Sequence, residues 1–330
     1  MERIHEIDLL RGIAISLMII GHSIIVHPID FTSVPWCQSL HNWIYSFHME
    51  LFFFISGAVY HCEKYSVYLV KKIDRLIVPL IAMGFLNILI TSIGGEVVHE
   101  HTPFLQSLLN LICFGDPYWF LYTLFLISVI WPLIEKLCPN KFWELGVAVL
   151  LIILPDFLNF PKIFRIYSVV YYMPYFFFGT FLKRFQIKEI KPGIGFGVFL
   201  LCIFFYFLLI QNDWQLRVFR YFKAFAMIIP AFLLSKMMVN NEASSIVIRG
   251  ISDFLRQASK YSLQVYMFNG FILVAARTLL VSILHVVNPA VVIPLIVIAN
   301  FVITFPLCRL LTSKTKWIAW LCGLKACPMR

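Results

Sequence analysis

Three ionisable side chains share one face of an otherwise aliphatic stretch near the start of the chain. In IDLLRGIAISLMIIGHS, residues 7–23, Asp8, Arg11 and His22 interrupt the apolar run. At 100° per residue, Arg11 falls about 60° and His22 about 40° from Asp8, so the three form one stripe with Ile15 and Met18 between them. A second stretch, FHMELFFFISG at residues 47–57, carries His48 and Glu50. A histidine changes charge near neutrality and can take a proton from a hydroxyl, while an arginine grips phosphate bidentately. A polar group without a partner costs about 2–7 kcal/mol in apolar surroundings. These residues therefore belong inside a bundle, facing a pathway or a site.

The setting for this chemistry is a membrane. Of 330 residues, 61% are hydrophobic and 13% charged, too few polar groups to cover a soluble globule of that size. The net charge of +10 is spread in short clusters between apolar runs, which excludes nucleic-acid binding and suits cytoplasmic membrane loops. Asp8 and Arg11 break the first apolar run, so the N-terminus reads as the first helix rather than a cleaved signal. Ten stretches reach the length of about 20 apolar residues that a crossing requires: roughly 7–27, 41–61, 75–93, 118–136, 142–159, 166–183, 192–210, 218–239, 261–285 and 289–311. The fold expected is an all-α polytopic membrane bundle of about ten transmembrane helices. It forms one domain over 1–330, without internal repeat, and ends in a basic tail from about 312 to 330. PFLQSLLNLICFG, within the gap 94–117, suits a re-entrant or interfacial helix.

Lysine and arginine set the orientation. Loops 62–75, 183–191 and 236–260 and the tail from Arg309 each hold four or more, with Lys136 and Lys141 in a further loop; loops 28–40, 94–117 and 286–290 hold none. That alternation places both termini in the cytoplasm. Lys162, Arg165, Arg217, Arg220 and Lys223 break the pattern and suit an anionic acceptor or lipid headgroups. Asp8 and Arg11 then lie near the inner surface, and His22 lies about 21 Å deeper. His48, about 10 Å below the outer surface, reaches a similar depth. His41, Tyr45, His48 and Ser56 share a face, while Glu50 points about 200° from His48. A snorkelling charge pair is the competing reading of Asp8 and Arg11, and a structural interhelical hydrogen bond that of His48 and Glu50.

Lys71, Lys72 and Arg75 either enforce topology or form an inner phosphate-binding vestibule, with Pro79 bending the start of the next helix beside Arg75. Tyr118, Trp119 and Tyr122, and Tyr171, Tyr172 and Tyr175, read as belt and packing aromatics or as a sugar-stacking surface. Gln264, Tyr266, Asn269 and Arg277 add polar atoms to a late span. The cysteines read as small buried hydrophobes; a Cys37–Cys113 disulfide is compatible with the topology, and no metal-binding spacing is present.

IDLLRGIAISLMIIGHS, FHMELFFFISG, KKIDRLIVPL, YWFLYTLFL and YYMPYFFFGTFLKR together resemble the acyltransferase 3 family of bacterial membrane acyltransferases, in the branch that O-acetylates surface glycans. The most specific elements are Arg11 with His22 eleven positions later, and the Phe-Phe-x-x-Ser-Gly ending at Ser56 and Gly57. Three positions depart from the family pattern: Lys72 stands where arginine is usual, Glu50 where proline is frequent, and Asn269 where many members have histidine. The resemblance implies transfer of an acyl group, usually acetyl, from cytoplasmic acyl-CoA to a carbohydrate or lipid-linked glycan hydroxyl, in the bacterial inner membrane. His22 then acts as base. His48 assists proton transfer or donates to the thioester oxygen, and Asp8 orients Arg11. Arg11, Lys72 and Arg75 hold the CoA phosphates, with Ser56 and Gly57 marking the CoA entrance. Glu50, Tyr118, Trp119 and Asn269 face the acceptor. Acetyl-CoA is a co-substrate, membrane lipids are the surroundings, and a homo-oligomer is compatible with all of this. A covalent acyl-enzyme on His22, Ser56 or a cysteine stays open, as does the rival class, a secondary transporter or lipid-linked glycan flippase.

Overall fold

The computed structural model describes residues 5–25, 30–93, 103–138, 140–185, 192–211 and 217–324. Among them every regular element is helical. Seven helical stretches are long and apolar enough to cross a membrane: His5–Ile25, Tyr65–Ser92, Phe104–Leu137, Gly193–Ile210, Val218–Asn241, Ser262–Ile283 and Pro289–Lys314. This is a multi-pass all-α membrane protein. Stretches 94–102, Lys188, Lys191 and the end of the basic tail with Cys327 lie outside the described residues.

The chain divides into two compact units, Met1–Tyr60 with Tyr175–Thr304 and His61–Pro174 with Phe305–Arg330. In the first unit, helix α1 (His5–Ile25) runs at the centre, and α2 (Pro35–Tyr45) and α3 (His48–Ala58) pack against it. The expected span 41–61 is thus two helices of 11 residues each. Phe47 leaves the helix at φ −154°, and Ser46 Oγ donates to the Trp43 carbonyl at 2.7 Å. With its one proton used there, Ser46 Oγ accepts from the Tyr206 hydroxyl at 3.1 Å. The unit is completed by α10 (Pro192–Gln211), α11 (Val218–Asn241), α12 (Ile246–Lys260), α13 (Ser262–Arg277) and parts of α9 (Ile166–Phe185) and α14 (Pro289–Lys314).

Helix α12 lies where the sequence reading places a cytoplasmic loop. It is amphipathic: Ser252, Leu255, Ala258 and Ser259 are buried, and Ser245 caps its start by accepting from the Ile248 N–H at 3.4 Å. It packs on α1 at Gly12, where an added Cβ would stand 2.3 Å from the Leu255 carbonyl oxygen. Helices α3 and α9 cross still more closely. A Cβ at Gly57 would meet the Phe176 carbonyl oxygen at 1.9 Å, and one at Gly179 the Phe54 carbonyl oxygen at 1.9 Å. Backbones approach this closely only where both helices present a small residue.

The second unit contains α4 (Tyr65–Lys72), which passes through a π-helical turn at Ile73–Ile77 into α5 (Val78–Ile93). Pro79 has no N–H for the Arg75 carbonyl, and the wide turn just before it accommodates that loss. Helix α6 (Phe104–Phe114) occupies the stretch read as interfacial and ends at Gly115, left-handed at φ 70°, where a Cβ would meet Tyr122 Cβ at 2.4 Å. It is followed by α7 (Trp119–Leu137), α8 (Lys141–Phe157) and, late in the chain, α15 (Lys316–Leu321). Trp320 Nε1 donates to Asp74 Oδ1 at 3.4 Å, fixing α15 near the π turn. Cys37 and Cys113 are both free thiols.

Valine at Gly57 or Gly179 forces the α3–α9 crossing apart and lowers stability by roughly the upper end of the 1–3 kcal/mol typical of overpacking, read as unfolding in a detergent titration. Gly197→Ala, where a Cβ meets nothing within 4 Å, is neutral or slightly stabilising in the same titration. A second expectation concerns pH. Arg256 donates to both carboxylate oxygens of Glu242 and to Asp253 Oδ1 at 3.0 Å, and the Arg256 hydrogen bonds to Glu242, with smaller help from Ser252 and the Arg256 charge, hold the Glu242 carboxyl below its usual range. A carboxylate lowered in the folded state stabilises above its ordinary pKa of about 4.3 and loses that contribution as pH falls through the lowered value. Arg256→Met therefore costs on the order of 1 kcal/mol at pH 7, and its stability converges with that of the native chain on acidification below about pH 4.

Candidate active site

His22 lies on the last full turn of α1. Its Nδ1 is 2.9 Å from the Met18 carbonyl oxygen. A carbonyl can only accept, so Nδ1 carries the proton and Nε2 keeps its lone pair. His48 is held the same way: Nδ1–H donates to the Ile44 carbonyl at 2.9 Å, and Nε2 is the basic nitrogen. The local cause is the break after α2. Ile44 lies in the last turn of α2, where regular helical bonding ends, and its carbonyl takes the imidazole as well as the Phe47 N–H at 3.3 Å.

The two imidazoles meet edge to face, with ring centroids 6.5 Å apart and planes at 86°. Tyr45 sits among them, 5.9 Å from His22 and 4.8 Å from His48, and stacks on His41 at 4.0 Å. Gly21 makes room for this. A Cβ there would stand 2.9 Å from Tyr45 Cε2 and 3.1 Å from Ile44 Cγ2. Among the described residues no group of three or more His, Cys, Asp or Glu is placed to hold a metal ion.

Asn269, on α13, reaches the same part of α1. Its Nδ2 faces Met18 Sδ at 3.7 Å, one turn before His22, and the side chain is 4% exposed. At the other end of α1, Asp8 Oδ1 accepts from Ser259 Oγ of α12 at 3.5 Å, and Arg11 is half-buried beside Gly12. Glu50 is buried on α3. Ser56 donates its hydroxyl to the Phe52 carbonyl at 2.8 Å, and Gly57 lies in the α3–α9 crossing. The first unit thus brings together His22, His48 and Asn269, with Asp8 and Arg11 further along α1.

The remaining sequence-derived residues belong to the second unit. Lys72 lies over the Tyr68 ring at 5.2 Å, and Arg75 is exposed on the π turn. Tyr118 is buried at the start of α7. Trp119 stacks on Tyr172 at 5.6 Å and carries the Arg165 guanidinium over its ring at 5.8 Å. Arg165 is fixed by an ion pair with Asp116 and by Nε donation to the Phe114 carbonyl at 2.7 Å. Phe164 and Arg165 both adopt left-handed backbone, φ 50° and 54°, a strained conformation for such side chains.

A family model described as an acyltransferase domain matches residues 4–309. The chain belongs to the acyltransferase 3 family. No curated protein and no solved structure matches it. With its membrane-spanning helices it is a multi-pass membrane acyltransferase, and the match takes in every residue of the histidine cluster.

Gly21 is the residue of this cluster that the sequence reading passes over; a glycine beside an intramembrane histidine is the signal it offers, while Tyr45 already shares a face with His41 and His48. Tyr45→Ala removes the ring between the histidines, so His48, 2% exposed, is carbethoxylated by diethyl pyrocarbonate several-fold faster, as read by mass spectrometry. Tyr45→Phe keeps the ring and the native rate.

Proposed function

We propose that this acyltransferase moves an acetyl group from cytoplasmic acetyl-CoA to a hydroxyl of a surface carbohydrate or lipid-linked glycan, in the bacterial inner membrane with both termini inside. The observation that carries the reading is the pair of facing imidazoles, each with Nδ1–H given to a backbone carbonyl and Nε2 left basic. Such a nitrogen serves transfer between oxygen and sulfur. His22 Nε2 takes the acceptor hydroxyl proton as that oxygen attacks the thioester carbonyl. The carbon–sulfur bond breaks as the tetrahedral intermediate collapses, and the proton passes to the departing CoA sulfur.

The tautomer of His48 bears on its role. With Nδ1–H engaged, the neutral ring offers no N–H toward the reacting carbonyl, which favours proton transfer with His22 over donation to a thioester oxygen. The Ser56 hydroxyl gives its proton to the Phe52 carbonyl of its own helix rather than to a base, an arrangement that favours direct transfer over an acyl-serine. Arg11 suits the donor's phosphates by bidentate pairing, with Asp8 orienting it. Lys72 and the exposed Arg75 of the second unit carry the same chemistry. Tyr118 and Trp119 suit stacking on a sugar ring, and Glu50 faces the acceptor.

Incubation of the purified protein with radiolabelled acetyl-CoA and bacterial surface glycan tests this. His22→Ala lowers transfer by roughly 10²–10⁴-fold with CoA binding unchanged. Arg11→Ala weakens CoA binding roughly tenfold. Tight glycan binding with no dependence on CoA would instead mark a transporter.

A further inference from the structure

The histidine cluster is rich in lone pairs and poor in protons. His22 and His48 each give Nδ1–H to a carbonyl, and His41 Nδ1 gives its proton to Asn42 Oδ1 at 3.5 Å. Three Nε2 lone pairs remain around Tyr45, and that of His41 is buried without a hydrogen-bond partner. Asn269 adds a fourth acceptor. Its amide nitrogen is turned to Met18 Sδ, a weak acceptor, which leaves the carbonyl oxygen Oδ1 buried and without a partner. Met18 links the two sides: its carbonyl fixes His22 while its sulfur meets Asn269.

Buried polar atoms left without partners are uncommon and call for a reason. Here the missing partners share one character, since each must be a donor. A phosphate or carboxylate would bring further lone pairs against four acceptors. The cation on α13, Arg277, is already engaged. Its Nη1 donates to the Ser23 carbonyl at 3.1 Å, its guanidinium lies 4.7 Å over Phe31, and Asp30 supplies the opposite charge. The Tyr45 hydroxyl can turn either way.

We propose that Asn269 Oδ1 and His41 Nε2 are specificity groups that accept hydrogen bonds from acceptor hydroxyls neighbouring the one being acylated, so that this end of the site selects a neutral polyol with adjacent hydroxyls over an anionic one. The inference rests on the acyl-transfer reading above and deepens it. One hydroxyl gives its proton to His22. The next supplies Asn269 or His41 with the donor that the protein lacks.

The test offers purified protein in lipid nanodiscs radiolabelled acetyl-CoA together with methyl pyranosides, their monodeoxy counterparts and the matching uronates. The native chain loses roughly 5- to 100-fold in kcat/KM when the adjacent hydroxyl is removed, as expected when a polar site is left unpaired. In Asn269→Leu that penalty shrinks to about threefold or less, while KM for acetyl-CoA stays the same. His41→Phe, which keeps the stack on Tyr45, narrows it likewise. An undiminished deoxy penalty in both variants overturns the proposal, as does a native preference for uronates. Should the native chain acylate none of the pyranosides, the transfer reading fails for them on its own, and saturation-transfer NMR with the same pyranosides and no acetyl-CoA decides the inference. Binding that is weakened in the Asn269→Leu, His41→Phe double variant sustains it, and no binding to the native chain overturns it.

Discussion

An imidazole has two nitrogens and, when neutral, one proton. The site depends on where two backbone carbonyls put that proton. Met18 holds it on Nδ1 of His22 and Ile44 holds it on Nδ1 of His48, which in the neutral rings leaves the lone pair on each Nε2. Neither carbonyl is on a loop. One belongs to a continuous helix and the other to the last turn of an interrupted one, so the tautomers are written into the backbone. Gly21, Tyr45 and the break at Ser46–Phe47 then set the angle at which the rings meet.

Much of this is legible in the sequence, because membrane chemistry makes polar residues conspicuous. The shared stripe of Asp8, Arg11 and His22 follows from helical geometry alone. So does the face shared by His41, Tyr45 and His48, since all the rings concerned are within 6.5 Å of a neighbour despite the break between α2 and α3. The break itself is not legible. A hydropathy window averages over Ser46 and Phe47, and the two-residue departure leaves the mean apolar character intact. Helix α12 escapes for the opposite reason: its charged and polar residues dilute the window, though Ser252, Leu255 and Ser259 keep a helical period. Ten expected spans against seven stretches that qualify by length and composition among the described residues follow partly from that same break.

Glycine is the other hidden signal. Gly12, Gly21, Gly57 and Gly179 each lie where a side chain would strike a neighbouring helix or ring, whereas Gly193 and Gly197 face open space. Nothing in the local sequence separates these two groups, because the difference lies in which helix passes by. The same limit applies to Trp119 and Arg165. Each is visible as an aromatic or a cation, but only the turn at Phe164–Arg165 brings them together with Asp116.

The interruption between α2 and α3 also orders the protein's biogenesis. Eleven residues of helix span about 16 Å, so neither half crosses a hydrocarbon layer of about 30 Å alone. Their junction is steadied by the Ser46 hydroxyl, which is in turn satisfied by Tyr206, 160 residues further along the chain. Ribosomes deliver α10 long after α1, α2 and α3 have entered the bilayer. The junction between the helix of His41 and the helix of His48 therefore gains this hydrogen bond only once α10 has followed them into the membrane.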